Sequence, residues 1–186
     1  MRFISIASTV LLAVSSIASA KDGAYVSANV GIGGLQKMSE QSFDAGFRGG
    51  FAFGYNIADS FAVEFNLQHQ SNKLTNDNDG GILNSTIGFV NGYYFIPGLD
   101  KLKPYIGAGF GYGSVGASAN NTQGMSVTSG VFALQGILGA KYEMCDKWDF
   151  FADLTYGHGF MLNSSSAGIS SDYKPYGLRL GAAFKL

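Results

Sequence analysis

Ile106-Gly107-Ala108-Gly109-Phe110-Gly111-Tyr112-Gly113 puts a glycine at every second position and an apolar side chain between each pair. A period of two belongs to a β-strand, whose successive side chains point to opposite faces. One face of this strand is bulky and the other is bare. The alternation continues on both sides of it. Val26, Ala28, Val30 and Ile32 alternate with Ser27, Asn29 and Gly31, and Phe47, Phe51 and Phe53 with Arg48, Gly50 and Ala52. Phe61, Val63, Phe65 and Leu67 alternate with Ala62, Glu64 and Asn66. Later in the chain Trp148, Phe150 and Leu154 alternate with Asp149 and Asp153, and Tyr176, Leu178 and Leu180 with Gly177 and Arg179. Two stretches are less regular. In Leu83–Phe95, Asn91 shares a face with Ile87, Phe89 and Phe95; in Val131–Tyr142, Phe132, Leu134 and Leu138 oppose Gln135, Gly139 and Lys141. The sum is eight strands of about 10–14 residues, longer than the five or six usual in globular proteins and long enough to cross a bilayer at a tilt.

Composition narrows the class. Of 186 residues 13 % are charged, 14 % aromatic and 27 are glycine, which argues against a disordered chain and against a helical bundle. One cysteine excludes a disulfide scaffold, and a net charge of −1 gives no basic surface for nucleic acid. Met1–Ala20 carries Arg2, an apolar run from Phe3 to Ile17 and then Ala18-Ser19-Ala20. That is the pattern of a cleaved secretory signal peptide, with 21–186 left as a single barrel domain.

The connections alternate in length. Ile57-Ala58-Asp59, Pro97–Lys101 and Met144–Lys147 are short, whereas Gln36–Ala45, Ser71–Gly81, Ser114–Ser129 and Phe160–Tyr173 are long and polar. Short turns at one end and long loops at the other are the layout of outer-membrane barrels. The sequence therefore predicts an all-β, eight-stranded antiparallel transmembrane β-barrel. Eight strands enclose little space, so the bulky face is expected to meet lipid and the small or polar face to line the lumen. Tyr55, Phe61, Tyr94, Phe95, Tyr105, Tyr142, Trp148 and Phe184, all near the short turns, are expected to form an aromatic girdle.

Six charged residues share the inward parity: Arg48, Glu64, Lys141, Asp149, Asp153 and Arg179. Folding at Cys145 sets Lys141 near Asp149, and the last hairpin brings Asp153 within about two positions of Arg179, so they are expected to pair across the lumen. A plug and an ion path are both readings of such a network. His69-Gln70-Ser71-Asn72 is similar to the His-x-Ser-Asn element of outer-membrane lipid A deacylases, in which His activates Ser. Here it lies in the third strand with no acid placed to orient the histidine, and an ordinary interfacial histidine is the preferred reading. Two histidines and one cysteine supply no zinc set. The glycines of 107–113 open no helix, so they are not a dinucleotide loop. No catalytic residue, metal or cofactor is assigned.

Asn91-Gly92-Tyr93-Tyr94-Phe95, followed by Lys103-Pro104-Tyr105-Ile106-Gly107-Ala108-Gly109-Phe110-Gly111-Tyr112, resembles the core motif of small porin-like outer-membrane β-barrels. That group spans opacity-type proteins, OmpA-like transmembrane domains and bacterial surface antigens. Tyr176, Leu178, Leu180, Phe184 and Leu186 are similar to the C-terminal signal read by the barrel-assembly machinery, with Leu186 where an aromatic is usual. The resemblance implies a non-enzymatic, structural or adhesin-like surface protein of the Gram-negative outer membrane. Its partners would be lipid, lipopolysaccharide, the assembly machinery and host-surface molecules. A small-solute porin is the alternative, and a deacylase using His69 and Ser71 a more distant one. Lys37, Phe43, Lys73, Met125 and Tyr173 are the loop residues able to anchor a contact.

Overall fold

The computed structural model describes residues 23–36, 44–73, 81–98, 100–118, 126–162 and 172–186. Its strands are β1 (Ala24–Leu35), β2 (Gly46–Ala58), β3 (Phe61–Lys73), β4 (Ile82–Phe95), β5 (Leu102–Ser118), β6 (Ser126–Glu143), β7 (Trp148–Met161), β8 (Asp172–Tyr173) and β9 (Pro175–Lys185). Neighbours pair antiparallel, and β9 pairs with both β7 and β1, so the sheet closes on itself. β8 and β9 are one stave: β7 meets Tyr173 and Tyr176 in an unbroken register. The interruption at Lys174 precedes Pro175, which has no N–H to give to a ladder. The fold is a closed eight-stranded antiparallel barrel.

Register fixes its shape. Following the ladder from Ala24 through Tyr55, Val63, Gly92, Ala108, Gly136, Tyr156 and Tyr176 returns to β1 at Gly34, ten residues beyond the start (34 − 24). A stagger of this kind requires strands tilted by roughly 35–45° to the barrel axis. Short turns and both ends of the barrel wall lie together, where the Leu186 amide donates to the Ala24 carbonyl at 3.0 Å. Gly98, after Pro97, adopts φ 114° in one of these turns, a conformation that needs glycine.

At the opposite end the strands run further than the sequence predicts. Much of Ser114–Ser129 is ladder, with β5 reaching Ser118 and β6 starting at Ser126. Ser71–Lys73, Phe160–Met161 and Asp172–Tyr173 are likewise paired rather than looped. These stretches lack apolar alternation, but backbone hydrogen bonds need no side-chain pattern, and the fully buried Val115 and Val131 anchor the extended hairpin.

The outward face carries Val30, Phe47, Phe51, Phe65, Phe110, Leu138, Leu154 and Leu180, all exposed. The inward face holds the buried Arg48, Glu64, Asn66, Gln68, Asn91, Gln135, Asp153 and Arg179. The expectation that bulk stays outside needs correction, because rings also fill the lumen. Phe95 and Tyr105, assigned above to the girdle, are buried inside. Six lumen rings each lie across the ladder from a glycine: Tyr25 from Gly54, Phe89 from Gly111, Tyr93 from Gly107, Tyr105 from Gly139, Phe151 from Gly181 and Tyr173 from Gly159. In each pair a Cβ on the glycine would meet the ring at under 3.0 Å. The missing side chain on one strand is the space for the ring on the next.

Candidate functional site

Among the described residues, charge gathers in the lumen. At its inner mouth, beside the short turns, Lys103 meets Glu143 at 2.9 Å and Lys185 meets Asp149 at 2.9 Å. Lys141 lies 3.5 Å from Asp149, with its Nζ 4.3 Å from the centre of the Phe95 ring. The ladder itself sets Glu143 against Asp149 and Lys141 against Phe151, so Lys141 reaches its carboxylate through its long stem. Lys103, Glu143 and Lys185 are additions that turn and strand-end positions made hard to see.

Higher in the lumen two carboxylates are held in different ways. Asp153 and Arg179 are direct ladder partners, and Arg179 clamps Asp153 with Nε at 2.7 Å and Nη2 at 2.9 Å. Tyr105 donates its hydroxyl to the same carboxylate at 2.9 Å. Among the described residues Glu64 takes no cation directly. Tyr25 and Tyr93 donate to its two oxygens at 3.1 and 3.0 Å. Asn91 donates to the Tyr93 oxygen at 3.3 Å, and Gln135 to Asn91 at 2.7 Å, which ties β6 to β3 through the interior. A bidentate guanidinium–carboxylate pair with hydrogen-bonded flanks is the form in which charge tolerates a low-dielectric interior. The tyrosines and amides of this network share the inward face with the charges but carry no charge that would mark them in the sequence.

Arg48 is fully buried, and Gly31 is the ladder partner of both Arg48 and Arg179. Two Arg48 nitrogens, Nε and Nη1, have no hydrogen-bond partner among the described residues. The six charged residues thus fall into one clamped pair, one mouth cluster, one tyrosine-held glutamate and one arginine apart from both carboxylates. Asn29 and Asn66, whose amide groups include atoms without protein partners, line a cavity with Glu64, Asp153 and Arg179. Its volume is about 40 Å³, room for roughly three water molecules.

Towards the long loops an apolar cluster enters the lumen beside the buried Arg48, Gln70, Asn72, Ser85 and Ser129. Leu35, Leu83, Ile87, Phe89, Val115, Val131, Ala133 and Tyr173 form one buried cluster drawn from β1, β4, β5, β6 and β8. The Tyr173 hydroxyl donates to Ser85 at 2.8 Å and fastens β8 across the opening. Tyr173 therefore faces inward as part of a lid, not outward as a loop contact. Lys37, Phe43 and Met125 lie outside the described residues.

Residues 4–185 match the model of the outer membrane protein beta-barrel domain. The chain belongs to that family. It resides in the bacterial outer membrane, and the exposed apolar face of the barrel is its lipid-facing wall. Neisserial surface protein A is similar in structure, with 20 % identity, 89 % of this chain and 98 % of that chain covered, and a TM-score of 0.68. Ail, the attachment invasion locus protein of Yersinia pestis, aligns at 16 % identity over 87 % and 97 % of the two chains, with a TM-score of 0.54. The outer membrane protein OprG of Pseudomonas aeruginosa gives 16 %, 88 % and 97 %, and 0.52. Identities this low establish a shared fold. Comparison with curated proteins finds no sequence match.

In an outer-membrane barrel the short turns face the periplasm and the long loops face out, so the apolar lid is at the extracellular end. Trp148 and Phe184 stack edge to face at 5.0 Å and Phe61 packs on Tyr94 at 5.0 Å, in the inner aromatic girdle. His69 is exposed on the lipid-facing wall, and its Nδ1 lies 2.9 Å from the Thr86 hydroxyl across the ladder. No hydrogen bond joins His69 to Ser71, whose ladder partners are Phe47 and Asn84. Cys145 is exposed in the turn after β6. Among the described residues no His, Cys, Asp and Glu side chains gather into a set of three able to hold a metal.

Proposed function

We propose that this protein is a closed outer-membrane barrel that works through its extracellular loops, as a structural and adhesin-like surface protein. The observation that carries this reading is the apolar lid of Leu35, Leu83, Ile87, Phe89, Val115, Val131 and Tyr173 across the outer end of the lumen. An ion passing it would shed its water between these apolar side chains and polar groups that already hold one another, as Tyr173 holds Ser85 and Gln70 holds Asn72, which costs more than thermal energy. The alternative, a small-solute porin, needs a wet path from end to end. The similarity to Ail adds support, since a crystal of that protein holds the heparin analogue sucrose octasulfate. A deacylase using His69 and Ser71 lacks support, because the imidazole is hydrogen-bonded to Thr86. The row of Tyr176, Leu178, Leu180 and Phe184 on β9, with Leu186 just after it, is the part we assign to the barrel-assembly machinery, and residues 1–20 to a cleaved signal peptide.

Planar bilayers test the lid. The folded protein is expected to leave the bilayer silent, and a steady unitary current would transfer the reading to the porin. Cell binding tests the loops. Bacteria displaying a variant without residues 163–171, still heat-modifiable in gel migration, are expected to lose most adhesion to host cells. Undiminished adhesion would remove the adhesin reading.

A further inference from the structure

The lipid-facing wall near the extracellular end carries exposed aromatic rings on β2, β5, β6 and β7, with Phe47, Tyr112, Phe132 and Phe160. Between Phe47 and Tyr112 it changes character. β3, β4 and β5 turn His69, Ser71, Asn84, Thr86 and Ser114 outward, and the ladder joins them into one block. His69 opposes Thr86, Ser71 opposes Asn84, and Thr86 opposes Ser114. His69, Thr86 and Ser114 are exposed, whereas Ser71 and Asn84 are half-buried. The contact with Thr86 occupies His69 Nδ1 and leaves Nε2 for an outside partner. Lys73 continues the same face of β3 and is exposed, and the outward faces of β3, β4 and β5 carry no Asp or Glu.

Below the block, toward the membrane centre, stand Leu67, Gly88 and Tyr112, and on the next outward row Phe65, Val90 and Phe110; Leu67 and Phe110 are 50 % and 56 % exposed. A soluble partner cannot lie on a surface that merges into hydrocarbon. The occupant has to be an amphiphile of the outer leaflet, with a polar head against the block and an apolar body along the wall. With Asp44 beside Lys73 at the rim and outside the block, a surface of one ammonium, an imidazole and hydroxyl donors selects an anionic head. The block spans three strands, about 10 Å, the width of a sugar unit with its phosphate rather than of a lone phosphate. We propose that this shoulder of the barrel binds the phosphorylated sugar headgroup of a lipid A-type glycolipid. Lys73 and His69 face the phosphate, while Thr86, Ser114 and Asn84 hydrogen-bond the sugar. This site is separate from the loops and from the lumen.

The test is retention of lipid A by the folded, full-length barrel, extracted from vesicles of phosphatidylcholine and lipid A and weighed by native mass spectrometry. Wild type is expected to keep one lipid A. The triple variant His69→Leu, Thr86→Val, Ser114→Ala, confirmed as folded by heat-modifiable migration, is expected to keep about tenfold less, the loss of charged hydrogen bonds. Lys73→Ser sits at an exposed strand end, so it tests the site even where the triple variant fails to fold; about threefold weaker retention is expected. Equal retention by wild type and Lys73→Ser, or undiminished binding of lipid A stripped of its phosphates, overturns the proposal. So does phosphatidylglycerol held as firmly as lipid A, which would reduce the shoulder to a general anionic surface.

Discussion

The lumen wall and the lipid wall of this barrel are built from overlapping residue types under opposite constraints. Aromatic rings occur on both. On the lipid wall Phe51 and Tyr112 project freely, exposed at 73 % and 62 %, and acyl chains conform to them. In the lumen Tyr25, Phe89, Tyr93, Tyr105, Phe151 and Tyr173 lodge over glycines of the neighbouring strand. Lipid adapts to the protein, while the lumen must be filled by the protein's own volumes. Volume and charge inside are therefore specified pair by pair, and outside only on average.

The largest break in that contrast comes from the clamped pair. Arg179→Met leaves Asp153 buried without its cation, and the stability lost should be about 3–5 kcal/mol. Urea unfolding in lipid vesicles reads this through Trp148, the sole tryptophan. Arg179→Met combined with Asp153→Leu should regain most of the loss, since apolar replacements of a buried pair are well tolerated. The recovery stays incomplete because Tyr105 then loses its acceptor. A double variant as unstable as the single would mean that the pair is needed for packing rather than for neutralisation.

That pair also marks how far the sequence could be read. Parity along Trp148–Tyr156 and Tyr176–Leu186 is enough to place Asp153 and Arg179 on one face, because period two is a property of each strand alone. Register is a property of two strands, and the long loops between them hide it. The expectation of a two-position offset became direct opposition for this reason. The girdle expected at Phe95 and Tyr105 fails by the same gap. A ring on the lumen side looks oversized until Gly107 and Gly139 are known to stand across from Tyr93 and Tyr105. β4 shows the limit most clearly, since both its faces carry large apolar residues and its own pattern does not say which is inside.

Glycines sharpen the comparison at intermediate size. Gly54→Ala would drive a Cβ into Cζ of Tyr25, so the ring must leave its slot and its bond to Glu64. Overpacking of this kind should cost about 1–3 kcal/mol. On the lipid wall Gly92→Ala and Gly136→Ala meet nothing within 4 Å. Neither should destabilise the barrel, and replacing glycine in a strand should stabilise it slightly. The urea midpoints of the three single variants decide the matter, and equal losses at Gly54 and Gly92 would refute the pairing of ring and glycine.

The smallest effect separates the two ends of the lumen. Tyr173→Phe keeps the ring over Gly159 and removes only the hydroxyl that donates to Ser85 at 2.8 Å. Both groups are buried, so the Ser85 oxygen is left without this donor and about 1 kcal/mol should be lost. Because β8 is only two residues long, that loss should fall locally on β8 and the upper part of β7. Hydrogen exchange in vesicles should then speed up at Gly159 and Phe160, the ladder partners of β8, while β2 and β3 stay protected. Uniform acceleration across all strands would mean that the lid and the barrel wall open as a single cooperative unit.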